Sequence, residues 1–322
     1  MLLDREKYFS ILSSFENIPF EQSQKWIESR CKKGVELLFF VDSLDLPNLA
    51  CCGELRRSKI RGKVLSVSGL CRKGDATSAL ITSFFKSVIT VDADVISVSD
   101  LAEYDVNFEI GIRRAGFIRP FGLSMCPLSL IVDLQAPRSY HRNWKRNVKK
   151  SLESGNTFHF IEKPSQEDVR LLHELFLSMN NRKGIDFGDD PVFASKLLEN
   201  GPFQLFFVNN ERGERIAGRV EYLYGSSVYD VWAANSEEAI RTGAAYQIQE
   251  GILDYYRDRG FLRFDYGRIP PCDGPRDNIY LSKSYSGGRP VSYNGEWYRA
   301  KSAWKTGLYS IYRYCYKKLP LY

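Results

Sequence analysis

The amino-acid sequence predicts an α+β protein of two related domains, residues 1–136 and 137–322, each a mixed central sheet flanked by helices. Three observations predict it. A length of 322 residues fits two domains of ordinary size. A hydrophobic fraction of 43% beside 26% charged residues belongs to a globular chain. The same order of elements also runs twice: helices, then antiparallel strands, then a helix before a closing strand. The halves share this rhythm without sequence identity and meet near residues 134–139.

In the first half, Phe20 to about Cys31 reads as an amphipathic helix stopped by Gly34. Val35–Val41, Leu49–Leu55 and Lys63–Val67 are apolar runs of strand length. Asp75 can cap a helix over Ala76–Val88, because its carboxylate can accept from a first-turn N–H. Asp94–Val98 reads as a strand, Phe108–Ala115 as a helix with Gly116 as its stop, and Leu128–Leu134 as the closing strand. In the second half, a helix over Ser139–Ser154 precedes a strand over Thr157–Ile161. Val169, Leu172, Phe176 and Met179 then share one helical face, and Pro191 opens a further helix. Phe203–Val208, Arg215–Tyr224 and Ser227–Ala233 are strands, followed by a helix over Gly243–Arg259 and a strand from Phe261. The tail from Glu296 to Lys318 is expected to be helical.

Composition narrows the function classes. No apolar run approaches the roughly 18 residues that span a bilayer. The N-terminus is charged at once and lacks a secretory core, which points to a cytoplasmic protein. The seven cysteines (31, 51, 52, 71, 126, 272 and 315) are odd in number and irregular in spacing, so reduced thiols are expected. Only three histidines occur, with no metal-ligand spacing, which argues against a metal site and against Ser-His-Asp chemistry. A net charge of +6 suggests a polyanionic partner.

The most informative stretch is Phe261-Leu-Arg-Phe-Asp-Tyr-Gly267, followed by Lys283 in what reads as a polar loop. A strand end that delivers an Asp and a Lys into a loop can hold a reacting group; a buried strand leading to a solvated loop is the alternative.

Several positions, in order, resemble the Fem peptidyltransferases, which are built from two acetyltransferase-like (GNAT) domains. They are Phe20-Glu-Gln-Ser with Trp26; Trp144-Lys-Arg-Asn-Val-Lys-Lys with Gly155; Asn181-Arg182-Lys183-Gly184-Ile185; Phe264-Asp265-Tyr266-Gly267; and Ser282-Lys283 with Tyr293-Asn-Gly295-Glu296. The similarity runs along nearly the whole chain. It departs from the family pattern at Ser282 and Arg268, and no coiled-coil arm is present. The resemblance implies transfer of an aminoacyl group from aminoacyl-tRNA to an amine of a peptidoglycan precursor, lipid- or nucleotide-linked, at the inner face of the membrane, with no cofactor. It makes Lys283 the catalytic residue. Arg30 and Arg182 match the family's phosphate-contacting positions, and Asp100, Tyr229 and Glu296 its other acceptor contacts, in a cleft between the domains.

The basic segment carrying Arg142, Lys145, Arg146, Lys149 and Lys150, with Trp144, Val148 and Leu152 on another face, suits the phosphates of a tRNA stem; a solvated helix face is the alternative. The aromatic and basic tail suits peripheral contact with a membrane, or docking through its aromatics. A competing acyl-CoA reading, a GNAT-type acyltransferase of polysaccharide or lipid, rests on Ile240-Arg-Thr-Gly243-Ala-Ala245. Gly243 and Ala245 fit a pyrophosphate loop and Ile240 does not. A non-catalytic tRNA- or envelope-binding protein is the third reading.

Overall fold

A computed structural model describes residues 1–30, 34–58, 62–74, 76–120, 126–184, 191–199, 201–269 and 279–316, with backbone alone at 303 and 312–316. In chain order the elements are β1 (Leu2–Leu3), α1 (Arg5–Leu12), α2 (Gln24–Ser29), β2 (Glu36–Val41), β3 (Leu49–Ser58), β4 (Gly62–Ser68), β5 (Cys71–Arg72), α3 (Ser78–Val88), β6 (Val95–Glu103), α4 (Val106–Arg114) and β7 (Leu128–Asp133). There follow α5 (Arg142–Glu153), β8 (Thr157–Ile161), α6 (Gln166–Lys183), α7 (Pro191–Leu198), β9 (Phe203–Asn209), β10 (Arg215–Tyr224), β11 (Ser227–Asn235), α8 (Glu237–Thr242), α9 (Ala244–Arg257), β12 (Arg263–Asp265), α10 (Ile279–Ser284), β13 (Arg289–Ala300) and α11 (Ala303–Tyr316).

The chain divides into two compact units. Unit 1 comprises Met1–Ser129, a short stretch from Arg268, and Val291–Tyr322; unit 2 comprises Leu130–Gly267 and Asn278–Pro290. The sheet of unit 1 runs β1-β2-β3-β4-β6-β13, with β5 beside β3. Among the described residues of this sheet, β4 and β6 alone are parallel, and α3 makes the crossover between them. The sheet of unit 2 runs β7-β12-β11-β10-β9-β8, and again one pair, β11 and β12, is parallel and joined through α8 and α9. The twice-run rhythm of the sequence is thus a repeated topology. Its last strands are exchanged: β7, which follows α4, pairs with β12, and β13, which follows α10, pairs with β6. For this reason Val291–Tyr322 falls in unit 1, where the sequence expectation had kept it with residues 137–290.

The core of unit 1 forms where the apolar stripe of α3 (Ile81, Phe84, Phe85, Val88) meets Phe108, Ile112 and Phe117, with Phe85 edge-on to both phenylalanine partners. Gln22 is 1% exposed and fully occupied: its Oε1 accepts from the Tyr8 hydroxyl and the Cys52 N–H, and its Nε2 donates to the carbonyls of Cys52 and Ser68. This motif residue therefore ties α1 to β3 and β4. In unit 2, Ser151 on α5 donates to Gln247 on α9, Asn156 donates to Ser151 and to Thr242, and Gln247 donates back to the Asn156 carbonyl. This closed network fixes α5 on α8 and α9.

Four local expectations change. Residues 296–300 belong to β13 and helix begins only at Ala303, because Val291, Tyr293, Trp297 and Tyr298 bury themselves along the β6 ladder and suit a pleated strand. The helix expected from Ala76 begins at Ser78 and is capped by Thr77, whose hydroxyl accepts from Leu80; Asp75, like Cys31, Ile185 and Cys272, lies outside the described residues. Leu152 is 58% exposed, and Ser151, drawn in by its network, takes the buried place on α5. Lys283 stands on a short helix, α10, and not in a loop.

Candidate active site

The Asp-Tyr-Gly turn works through its backbone. Asp265 is buried and its Oδ1 accepts from the Gly267 N–H, which closes the turn. Gly267 has φ +71°, and a Cβ there would stand 2.7 Å from the Asp230 carbonyl, so only glycine fits. The turn thereby aims the Tyr266 carbonyl at Lys283, whose Nζ donates to it at 2.7 Å and to Asp230 Oδ2 at 3.2 Å. The same ammonium lies 5.1 Å from the centre of the Tyr266 ring. An ammonium has three donors, and these two bonds leave one for a ligand among the described residues.

Asp230 is shared. The guanidinium of Arg219 approaches its Oδ2 at 3.6 Å. Glu221 faces Asp230 across the β10–β11 ladder, and the register slips by one residue beside them, between Val220 and Glu221. Arg219 and Glu221 are two residues apart on a strand and so point to one face. The result is a sunken cluster of two cations and two carboxyls, with side-chain exposures of 16% for Lys283, 7% for Arg219 and 2% for Asp230, while Glu221 is fully buried. Both oxygens of Glu221, Oδ1 of Asp230 and Nε of Arg219 have no hydrogen-bond partner among the described residues.

Burial pushes the Lys283 ammonium below the usual lysine range; Asp230 opposes that shift and Arg219 adds to it. Burial, and then the Asp230 carboxylate, push Glu221 well above the usual carboxyl range. A carboxyl whose folded pKa is raised holds its proton in the folded state across the interval above its unfolded pKa of about 4.3, so stability is fullest below that value and falls as pH rises through the interval. Glu221→Gln is therefore expected to be more stable than the wild type at neutral pH and to show a flatter stability profile from about pH 4.3 upward. Urea unfolding at several pH values checks this; an unchanged slope would contradict it.

Of the other residues singled out in the sequence, Tyr229 neighbours Asp230 on β11 and is 5% exposed. Arg182, at the exposed end of α6, donates to the Asn235 carbonyl at 3.0 Å. Asn235 is five residues along β11 from Asp230, the partner of Lys283, roughly 17 Å at strand rise, so Arg182 does not touch Lys283. In unit 1, Asp100 is fully buried, and its Oδ2 accepts from Arg72 at 2.9 Å and from Asn294 at 2.7 Å. Glu296 sits on β13 opposite Ser99, one step along the ladder from the Gly295–Asp100 pair. Arg30 closes α2 with its guanidinium 5.1 Å from the Trp26 ring. Glu21, in the field of Arg268, Asp100 and Arg30, is pushed up to about 7, chiefly by burial.

On α5 all five cations are exposed. Lys149 pairs loosely with Glu153 at 3.7 Å. Arg138, just before α5, is instead half-buried, paired with Asp254 and hydrogen-bonded to the Tyr140 hydroxyl. Gly243, between α8 and α9, has φ +87°, and a Cβ there would stand 2.2 Å from the Asn147 carbonyl of α5. Its role here is close packing. Among the described residues, no group of three His, Cys, Asp or Glu side chains is placed to hold a metal ion.

No protein-family model matches the chain, and no curated protein sequence matches it. Solved structures do. FemX superposes with a TM-score of 0.77 at 15% identity, over 97% of this chain and 98% of that one. The C-terminal domain of a putative lysylphosphatidylglycerol synthetase from Agrobacterium fabrum gives 0.61 at 12% identity, over 94% and 93%. A tandem GNAT protein from the clavulanic acid biosynthesis pathway gives 0.55 at 10% identity, over 94% and 98%. The chain has a Fem-like fold of two tandem GNAT-like units, as the sequence motifs imply.

Proposed function

We propose that this protein is an aminoacyltransferase that takes an aminoacyl group from aminoacyl-tRNA and joins it to an amine of a peptidoglycan precursor. The observation that carries the reading is the sunken Lys283 ammonium, held by Asp230 and the Tyr266 carbonyl with one donor to spare, in a fold shared with FemX. In this reaction a neutral amine attacks the ester carbon, an oxyanion forms, the new C–N bond is kept and the ribose oxygen leaves with a proton. Lys283 offers its remaining N–H to the oxyanion and then a proton to the departing ribose oxygen. Its lowered proton affinity favours that donation, and the proton shed by the attacking nitrogen restores the ammonium. Asp230 and the Tyr266 carbonyl hold the group in place.

The exposed cations Arg142, Lys145, Arg146, Lys149 and Lys150 on α5 suit the donor's phosphates, and α5 belongs to the same unit as Lys283. Arg30, Asp100, Arg182, Tyr229 and Glu296 remain proposed acceptor contacts. The likeness to the lysylphosphatidylglycerol synthetase domain supports a second acceptor class, the hydroxyl of a lipid headgroup; the same Lys283 chemistry serves it. Acyl-CoA ranks below tRNA as donor, because α5 stands against Gly243 where a pyrophosphate loop would need open amides.

Filter binding with bulk tRNA tests the donor. Binding that weakens with salt is expected, and the variant Lys145→Glu, Arg146→Glu, Lys149→Glu is expected to lose at least about tenfold in affinity. Equal binding by the variant would remove α5 from the donor site.

A further inference from the structure

Among the described residues, helix α11 meets unit 1 through one face. Tyr309, 5% exposed, packs its ring 4.7 Å from that of Tyr298, and Ser310 hydrogen-bonds the Tyr298 hydroxyl at 2.6 Å. Lys305 pairs with Asp94, and Lys301 with Asp92 at 3.0 Å. The opposite face is apolar and lies in solvent: Trp304 is 64% exposed, Leu308 54% and Ile311 61%. Spacings of four and three put these side chains in one stripe, and at about 100° per residue Tyr309 lies roughly 140° around from Trp304. An exposed helix face on a soluble body is ordinarily polar, so a contiguous stripe of Trp, Leu and Ile marks a surface that meets something apolar.

Charge decides what it meets. From Lys301 to Lys318 the sequence holds Lys301, Lys305, Arg313, Lys317 and Lys318 and no acidic residue. Asp92 and Asp94 balance two of these cations, which leaves the segment positive. Two copies joined stripe to stripe would bring like charges together, whereas an anionic lipid surface attracts them. Trp304 at the start of the stripe, with Lys305 Nζ 5.7 Å from its ring, is the kind of amphipathic pair that settles at headgroup depth. The helix has 14 residues, and no helix among the described residues is long and apolar enough to cross a membrane, so a bilayer would meet this stripe along its surface and not be spanned by it.

We propose that the Trp304–Leu308–Ile311 face of α11 docks this protein on the surface of an anionic phospholipid bilayer. The inference stands on α11 and the cations flanking it in sequence and is independent of the reaction at Lys283. Co-sedimentation with sucrose-loaded vesicles of equimolar phosphatidylglycerol and phosphatidylcholine tests it. Expected are binding by the wild-type chain that falls with added salt and on pure phosphatidylcholine, and a loss of at least about tenfold in partitioning for the triple variant Trp304→Ser, Leu308→Ser, Ile311→Ser. All three side chains are exposed, so the variant should keep its unfolding midpoint, and Lys317→Glu, Lys318→Glu provides a second variant with the stripe intact and weaker binding. The proposal is overturned if the wild type stays in the supernatant with phosphatidylglycerol present, or if the triple variant sediments equally. It is also overturned if light scattering without lipid shows a wild-type dimer that the triple variant converts to a monomer.

Discussion

Replacing Lys283 by alanine is expected to lower the rate of aminoacyl transfer by about 10²- to 10⁴-fold, the range over which a positioned proton donor or oxyanion partner contributes. The loss should appear in kcat more than in KM, because the ammonium acts on charge that develops only in the transition state. The fold should survive: Arg219 still faces Asp230 when the lysine is gone, and α10 is a short half-buried helix with no fully buried side chain. Single-turnover kinetics beside circular dichroism separate the two effects. A variant that folds and turns over within twofold of the wild type would remove Lys283 from the chemistry.

Asp230 is expected to matter for a different reason. Its carboxylate is the common counter-charge of Lys283 and Arg219, at 3.2 and 3.6 Å, in a place almost closed to water. Asp230→Ala leaves Lys283 and Arg219 sunken without the carboxylate they share, and burial raises the proton affinity of Glu221, the other carboxyl of the cluster. Breaking a buried ion pair from one side costs about 3–5 kcal/mol, so the urea midpoint should fall steeply with an unchanged slope. Lys283 also loses the partner that raises its proton affinity, so its pKa should drop further and what activity remains should shift to lower pH. A midpoint close to that of the wild type would show that the cluster is more hydrated than its burial implies.

The site was legible in part. Lys283 stands out in the sequence because the motifs around it come in order, and the Asp-Tyr-Gly turn reaches it through the Tyr266 carbonyl, while Asp265 closes the turn and lies 3.9 Å from the Arg263 guanidinium. Arg219, Glu221 and Asp230 went unread because they lie inside strands that pattern as ordinary apolar strands. A signal was present. Arg219 and Glu221 alternate within Ile216-Ala-Gly-Arg-Val-Glu-Tyr, and Asp230 sits among Val228, Tyr229, Val231 and Trp232. Charges at period two in the middle of a central strand must be buried together or paired.

The fold shows the same limit. Local periodicity recovers most helices, and it recovers α5 and α9 well because each buries one stripe. It misses β13, whose partner β6 lies some 200 residues earlier, as in the pairing of Glu296 with Ser99. Aromatic and basic residues suit a helix and a strand equally until that partner is known. The exchange of β7 and β13 is a matter of pairing alone, and no local pattern carries it.

The most direct measurement of the central claim is a transfer assay with the intact chain, aminoacyl-tRNA as donor, and a nucleotide-linked muropeptide or a phosphatidylglycerol vesicle as acceptor, followed by mass spectrometry of both products. The account predicts loss of the tRNA ester and a matching gain of one aminoacyl group on an acceptor, both dependent on Lys283. Retention of the ester with every acceptor, together with saturable binding of acetyl-CoA and acyl transfer from it, would contradict it.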